Sequence, residues 1–362
     1  MDRGHPAPAM SGQAQGQAGQ DGAAIVWTPL QQVMLTSILR EQDRTIDVLF
    51  LREGTRLLDH LAQRTRKVVV VPDLSYSVRA IARYRRTCND LLAPELAGLR
   101  RYRCYAWTLE NPFARFLFMR PDCAAIHLFE DGVGTYSDPG RFAWRFGPKH
   151  VLAKFLIGVG LRDTHRLRRT PIEKRAEFSL LYPEAFRGKG FRLKAIDRDC
   201  YRQTVLETDA AGAAVPGLPE GAILYLSSPI ELSDTQNEDA HAHALGRLLE
   251  TERDRDRPIF WKPHPRANLD SEMRWMRAVA ARLKVAIEPL PGGLISEQIA
   301  LANRDVGISI VSALSSSLYT LKALDIDRHR LVCIDSPLLR SHVHLMRDLY
   351  AFYRRIGIEV VA

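Results

Sequence analysis

The stretch from Lys67 to Pro72 reads KVVVVP, four valines in a row closed by a proline. β-Branched side chains are stiff and crowd a helix, so a continuous valine run argues for a strand. Continuity, in place of alternation with polar residues, is the pattern of a parallel strand buried on both faces. Parallel neighbours need crossover helices, and the flanking sequence supplies them. Upstream, AAIVW (residues 23–27) and IDVLFL (residues 46–51) read as strands. Between them lies PLQQVMLTSILRE, a helix opened by Pro29 in a first turn whose N–H groups have no partner anyway. Downstream come a helical segment over residues 76–99 and the strands RYRCYAWT and AAIHLF, with the helical NPFARFLFM between them. Strands alternating with helices predict an open α/β sheet.

The rhythm breaks at AAGAAVPGLPEG, residues 210–221, which is linker-like in its Ala, Gly and Pro content. It then restarts. AILYLSS, RPIFWKPHP, KVAIEP, VGISIVS and HRLVCID read as strands, and NEDAHAHALGRLLETER, LISEQIALA and SSSLYTLKAL as helices. The expected fold class is therefore α/β, with two facing Rossmann-like domains and a cleft between them. Their bounds fall at residues 23–209 and 222–336. A C-terminal helix within residues 337–362 packs back across the junction. Residues 1–22, made of Gly, Gln, Ala, Ser and Pro, lack the apolar side chains that offset ordering and read as disordered.

At 362 residues the chain exceeds one comfortable core, which agrees with two domains. An apolar fraction of 46% and a charged fraction of 26% are those of a globular protein. The formal charge of +9 favours anionic partners. Its densest part is the basic stretch over residues 141–175, read as a solvated face or a surface for anionic lipid or a phosphorylated acceptor. Five scattered cysteines without a CxxC pair indicate neither a zinc site nor a disulfide framework, and a reducing cytoplasm fits. No apolar run approaches the ~18 residues of a spanning helix, and no secretory leader is expected. The protein is expected to be cytoplasmic, with peripheral contact to the inner face of the membrane through its basic charge.

Three segments, each at the end of a strand, carry candidate chemistry. The first is Glu130-Asp131-Gly132, after AAIHLF. A single carboxylate there reads as a cap or turn former. Two together on a Gly-rich turn suit a base that takes a proton from a sugar hydroxyl, each charge raising the pKa of the other. The second is WKPHPR, in which Pro263 and Pro265 restrict the backbone around His264 and Lys262 adds positive charge. A lone histidine is more often structural, but one so clamped after a strand suits a phosphate that gains charge. The third is Ser315-Ser316-Ser317. One serine serves as an N-cap, and three at a helix start suit an anion. Triplets of the form DxD at Asp197, Asp254 and Asp325 are discounted, since 26% charged residues produce them by chance and two of them sit in charged surface sequence. His241 and His243, at i, i+2 on a helix, do not face one metal. No P-loop, HExxH or GxSxG motif is present.

In this order, the acidic pair with Gly132, His264-Pro265 and Ser316-Ser317 resemble the signature of bacterial sialyltransferases of the lipooligosaccharide sialyltransferase and polysialyltransferase type, glycosyltransferase families 52 and 38. WTPLQ (residues 27–31), KPHPR and SSLYTL add to the likeness, which spans residues 25–324. The resemblance implies a GT-B-like fold and inverting transfer from a CMP-sugar, with no metal and no cofactor. By carry-over, Asp131 is the general base and Glu130 its support. His264 binds and protonates the departing phosphate, while Ser316 and Ser317 hold it. Ser315, Lys262 and Pro265 are their neighbours in donor binding, and Gly132 is structural. The partners implied are a nucleotide-sugar donor and a glycan or glycolipid acceptor, with no nucleic acid. The competing readings are a GT-B transferase for UDP- or other NDP-sugars, and a non-catalytic basic protein for anionic membrane or nucleic acid. The second leaves His264 and Ser316 without a task, and no nucleic-acid-binding signature supports it.

Overall fold

The computed structural model describes residues 22–74, 80–108, 111–137, 176–188, 191–208, 215–227, 234–251, 257–264, 268–291, 294–313, 315–335 and 346–361. Residues 1–21 of the expected disordered segment, the basic stretch over residues 141–175, and Pro265 lie outside them, while Gly22, expected in that segment, opens the first strand.

Two parallel sheets organise the chain. The first contains β1 (Gly22–Val26), β2 (Ile46–Arg52), β3 (Thr65–Val71), β4 (Tyr102–Ala106), β5 (Cys123–Phe129), β6 (Ala176–Leu180) and β7 (Arg192–Ala195). They pair in the order β3-β2-β1-β4-β5-β6-β7, every neighbour parallel. The second contains β8 (Ile223–Leu226), β9 (Ile259–Lys262), β10 (Ile287–Pro289), β11 (Ser309–Ser312), β12 (Arg330–Ile334) and β13 (Glu359–Val361). Their order is β10-β9-β8-β11-β12-β13, again all parallel. Both sheets thus repeat the doubly wound order, and the expected pair of Rossmann-like α/β domains is what the chain forms. In each, the direction of winding reverses beside the first strand, between β1 and β4 and between β8 and β11. Such sheets open a crevice there, at the carboxyl ends of the strands.

The described helices are α1 (Pro29–Glu41), α2 (Asp59–Ala62), α3 (Ile81–Thr87), α4 (Ala93–Leu96), α5 (Pro112–Met119) and α6 (Gly134–Ser137), followed by α7 (Arg198–Glu207), α8 (Asp234–Thr251), α9 (Leu269–Leu283), α10 (Ser296–Ala302), α11 (Ser317–Lys322) and α12 (Met346–Arg355). Local chemistry sets several starts. Thr28 is extended and its hydroxyl accepts from the Gln31 amide at 3.3 Å, with Pro29 following. Asn111 caps α5 through the amides of Phe113 and Ala114. Asp197, first residue of a discounted DxD triplet, caps α7 by accepting from Cys200 N at 2.7 Å. His241 is also structural in its setting: it is buried, with Nδ1 2.8 Å from the Tyr225 hydroxyl.

The valine run departs from expectation. β3 is the edge of its sheet, and Val68 and Val70 are 38% and 56% exposed while Val69 and Val71 are buried. At this edge position one face of the strand is covered and the other is open to water, and a uniform apolar run does not reveal how far the covering layers extend. The 76–99 helix is broken by a π turn, Cys88–Leu92, between α3 and α4. β6, β7 and β13 were not anticipated; β7 carries Arg192 and Lys194 and is mostly exposed, so hydrophobic pattern could not mark it. No described helix is long and apolar enough to cross a membrane.

Contacts across the junction are specific. The Tyr182 hydroxyl donates to the Tyr319 carbonyl at 3.1 Å, and Arg202 Nη2 to the Leu324 carbonyl at 3.0 Å. Helix α12 returns over the first domain: Phe352 stacks on Tyr136 with centroids 4.2 Å apart, and Arg355 donates to the Ala185 carbonyl. Tyr353, on the same helix, donates to the Ser315 carbonyl at 2.6 Å.

Candidate active site

The acidic segment leaves β5 at its carboxyl end and turns immediately. Gly132 makes the turn with φ of +120°, a left-handed region that suits glycine. The turn runs straight into the second domain. A Cβ on Gly132 would lie 2.9 Å from Ser316 Oγ, and Val133 N donates to that same hydroxyl at 3.2 Å. The first and third segments of the sequence are therefore in contact.

The two carboxylates have different surroundings. Glu130 is fully buried (0% exposed). The Tyr136 hydroxyl donates to its Oε2, and Leu181 N donates to Oε1 at 3.2 Å. Tyr136 in turn accepts from Tyr182 N at 3.1 Å. Burial pushes the Glu130 carboxyl up to about 8, with the two hydrogen bonds pulling the other way. At neutral pH it is mostly protonated. This corrects the expectation that its negative charge bears on Asp131; desolvation under β6 removes that charge. Glu130 ties the start of the loop to the chain after β6, which only the fold brings beside it.

Asp131 is half-buried at the surface of the turn. Its backbone N–H donates to Thr135 Oγ1 at 3.3 Å, and its Oδ1 accepts from the side-chain amide of Gln31 on α1. Gln31 was not singled out by its chemistry, although it ends the quoted WTPLQ.

On the second domain, the serines divide their tasks. Ser316 occupies the cap position of α11 without a side-chain cap, and Ser315 Oγ accepts from Ser317 N at 3.2 Å. All three are half-buried. The His264 segment is held by a carboxylate that the sequence did not mark. Glu272, buried in the first turn of α9, accepts from Ser227 Oγ at 2.9 Å, from Trp261 Nε1 at 3.3 Å and from the backbone N–H of His264. It clamps the chain after β8 to the chain after β9, and burial raises its pKa. Lys262 is 8% exposed; burial lowers its pKa, while Glu297 and Glu272 oppose that. Glu297, buried on α10, accepts from Thr320 Oγ1 on α11. Glu297 thus bears on Lys262 through charge and holds α11 through Thr320. An acid in the first turn of a helix is ordinary in sequence, so nothing distinguished Glu272 before the fold was known.

The structure therefore joins the Asp131 turn to Ser316 directly. Glu297, which accepts from Thr320 on the serine helix, acts electrostatically on Lys262. Among the described residues no group of three or more His, Cys, Asp or Glu is placed to hold a metal ion.

No family model matches the chain, and no curated protein matches it either. Solved structures do. A sialyltransferase from Photobacterium damselae, in its GT-B domain, is 13% identical over 93% of this chain and 97% of its own, with a TM-score of 0.47. The α,α-trehalose-phosphate synthase (UDP-forming) of Burkholderia xenovorans is 12% identical over 92% of each chain, at 0.49. The UDP-GlcNAc 2-epimerase of Methanocaldococcus jannaschii is 10% identical over 95% of this chain and 89% of its own, also at 0.49. Likenesses of this degree, spread over transferases and an epimerase, fix neither reaction nor donor.

Proposed function

We propose that this chain is an inverting glycosyltransferase that moves sialic acid, or a related keto sugar, from a CMP-sugar to a hydroxyl of a bacterial surface glycan such as lipooligosaccharide or capsule. The observation that carries the reading is the contact of Gly132 and Val133 with Ser316. It sets an acidic loop of one domain against a serine-rich helix start of the other, on the sheet that also carries Lys262 and His264. The order of the three motifs in the sequence supports the same reading.

In this mechanism Asp131 takes the proton of the acceptor hydroxyl as that oxygen attacks the anomeric carbon. The bond from that carbon to the phosphate oxygen breaks, and its electron pair leaves with CMP. His264 and Lys262 meet the charge that grows on the single phosphate. Ser316 can serve both domains at once: a hydroxyl that accepts from Val133 N still has its proton to donate to a phosphate oxygen. Glu130 acts behind the loop, as its anchor. Protein groups alone neutralise the phosphate in this scheme, so transfer persists in EDTA.

Incubation with CMP-sialic acid and a panel of glycan acceptors, followed by mass analysis of products, tests the proposal. Calorimetric titration with CMP, UDP and GDP separates the donor classes. A clear preference for UDP, or no sialylated product with any acceptor, would sink it.

A further inference from the structure

We infer that Gln31 is the positioning residue for the Asp131 carboxylate, a buried amide that ties the catalytic turn after β5 to the end of β1. Gln31 is 2% exposed, in the first turn of α1. Its Oε1 accepts from the backbone N–H of Trp27 at 2.6 Å, and its Nε2 donates to Asp131 Oδ1. The two ends of a side-chain amide are not interchangeable here. The Trp27 N–H is a donor and must meet the carbonyl end, so the NH2 end faces Asp131. A flipped amide would set two donors together and aim an oxygen at a carboxylate.

The reference point is itself firm. The Trp27 carbonyl accepts from Thr55 Oγ1 at 3.1 Å, and its ring packs on Trp107 with centroids 5.2 Å apart. Trp27 follows β1 and Trp107 follows β4, so the pair closes the crossover point of the first sheet. Asp131, by contrast, is followed by a left-handed glycine in a loop. An amide anchored to the sheet gives that carboxylate a fixed orientation, and a donor to one oxygen favours its charged form. Among the described residues, two titratable neighbours stay largely neutral near pH 7. Glu130 is mostly neutral, and the buried Tyr319 phenol on α11, which feels both carboxylates, is pushed well above its ordinary value.

The inference rests on the proposed role of Asp131 only for its kinetic consequence, so two measurements separate them. The first is independent of any substrate: the pH titration of the Asp131 carboxyl carbon by NMR in wild type, Gln31→Met and Gln31→Glu. Loss of the donor moves the midpoint up by about one pH unit or more in both variants. Gln31→Glu keeps an acceptor for Trp27 N–H, so it reports even where Gln31→Met does not fold. An unchanged midpoint overturns the inference. The second is transfer from CMP-sialic acid, where kcat falls about 10- to 100-fold, the donor KM stays within about twofold, and the acid limb of the pH profile moves with the midpoint. Where Asp131→Ala abolishes transfer, a wild-type kcat and acid limb in the Gln31 variants would also overturn it. If the midpoint moves but Asp131→Ala still transfers sugar, the base assignment is wrong while Gln31 remains the holder of that carboxylate.

Discussion

The two sheets share one strand order, yet the polar groups beneath their candidate site segments are unlike. Under the acidic turn of the first, a single buried carboxyl, Glu130, is met by neutral donors, a phenol and a backbone amide. Under the His264 segment of the second, a buried Lys262 stands with Glu272 and Glu297. Neutral partners leave the buried acid to protonate, and its pKa rises to about 8. Burial lowers the pKa of the lysine and raises those of both acids, and each acid opposes the shift of the lysine, so the three depend on one another. The turn of the first sheet is thus held by hydrogen bonds to neutral groups, and the His264 segment of the second stands over a buried lysine with two buried carboxyls. In the proposed reaction this division suits a base that must be a charged carboxylate on one side and a phosphate on the other.

Four tests press on this contrast. The largest effect is expected at the reacting groups. Asp131→Ala lowers transfer about a thousandfold while CMP affinity by calorimetry stays within about threefold, whereas His264→Ala lowers both. Near-wild-type turnover in the Asp131 variant would remove the base from the scheme. Next, Glu272→Ala strips acceptors from Ser227, Trp261 and the His264 amide and leaves Lys262 less compensated. It should cost about 3 kcal/mol in denaturant unfolding and weaken CMP binding, and a loss confined to stability would detach the clamp from the site. Third, Gly132→Ala combines left-handed strain with a contact on Ser316 Oγ, about 1–3 kcal/mol in all. Ser316→Ala removes the near atom, so the double variant should be less destabilised than the sum of the singles. Strict additivity in that cycle would mean that the two loops do not press on each other in solution.

The smallest and most diagnostic effect concerns Glu130. Its folded pKa lies above the unfolded value, so the interior favours the neutral acid. Its contribution to stability is whole below about pH 4.5 and declines as pH rises to about 8, after which it is spent. Glu130→Gln cannot ionise. Wild type should lose stability relative to this variant across that window, read as a falling difference in unfolding free energy. A difference that stays flat would place the carboxyl in water.

Much of the framework was readable before folding. The alternation of strand and helix, the Pro29 and Asn111 starts and the strand-end position of all three motifs follow from local periodicity and cap chemistry. Short-range physics decides those features, so a short window of sequence contains them. β7 escaped because an exposed edge strand with Arg192 and Lys194 carries no hydrophobic pattern. The exposure of Val68 and Val70 escaped for the converse reason, since a valine run looks the same at an edge as at the centre.

Local patterning along the chain is enough to read a two-part α/β chain with an acidic turn, a proline-flanked histidine and a serine-rich helix start. Tertiary structure alone decided what each of them touches. Glu130 and Asp131 are adjacent in the chain, yet packing under β6 makes one a neutral anchor, while an amide one hundred residues upstream holds the other. Gln31, Glu272 and Glu297 look ordinary in sequence because their roles depend on partners supplied by distant segments. Desolvation and hydrogen-bond pairing act through space, and space is what the fold assigns.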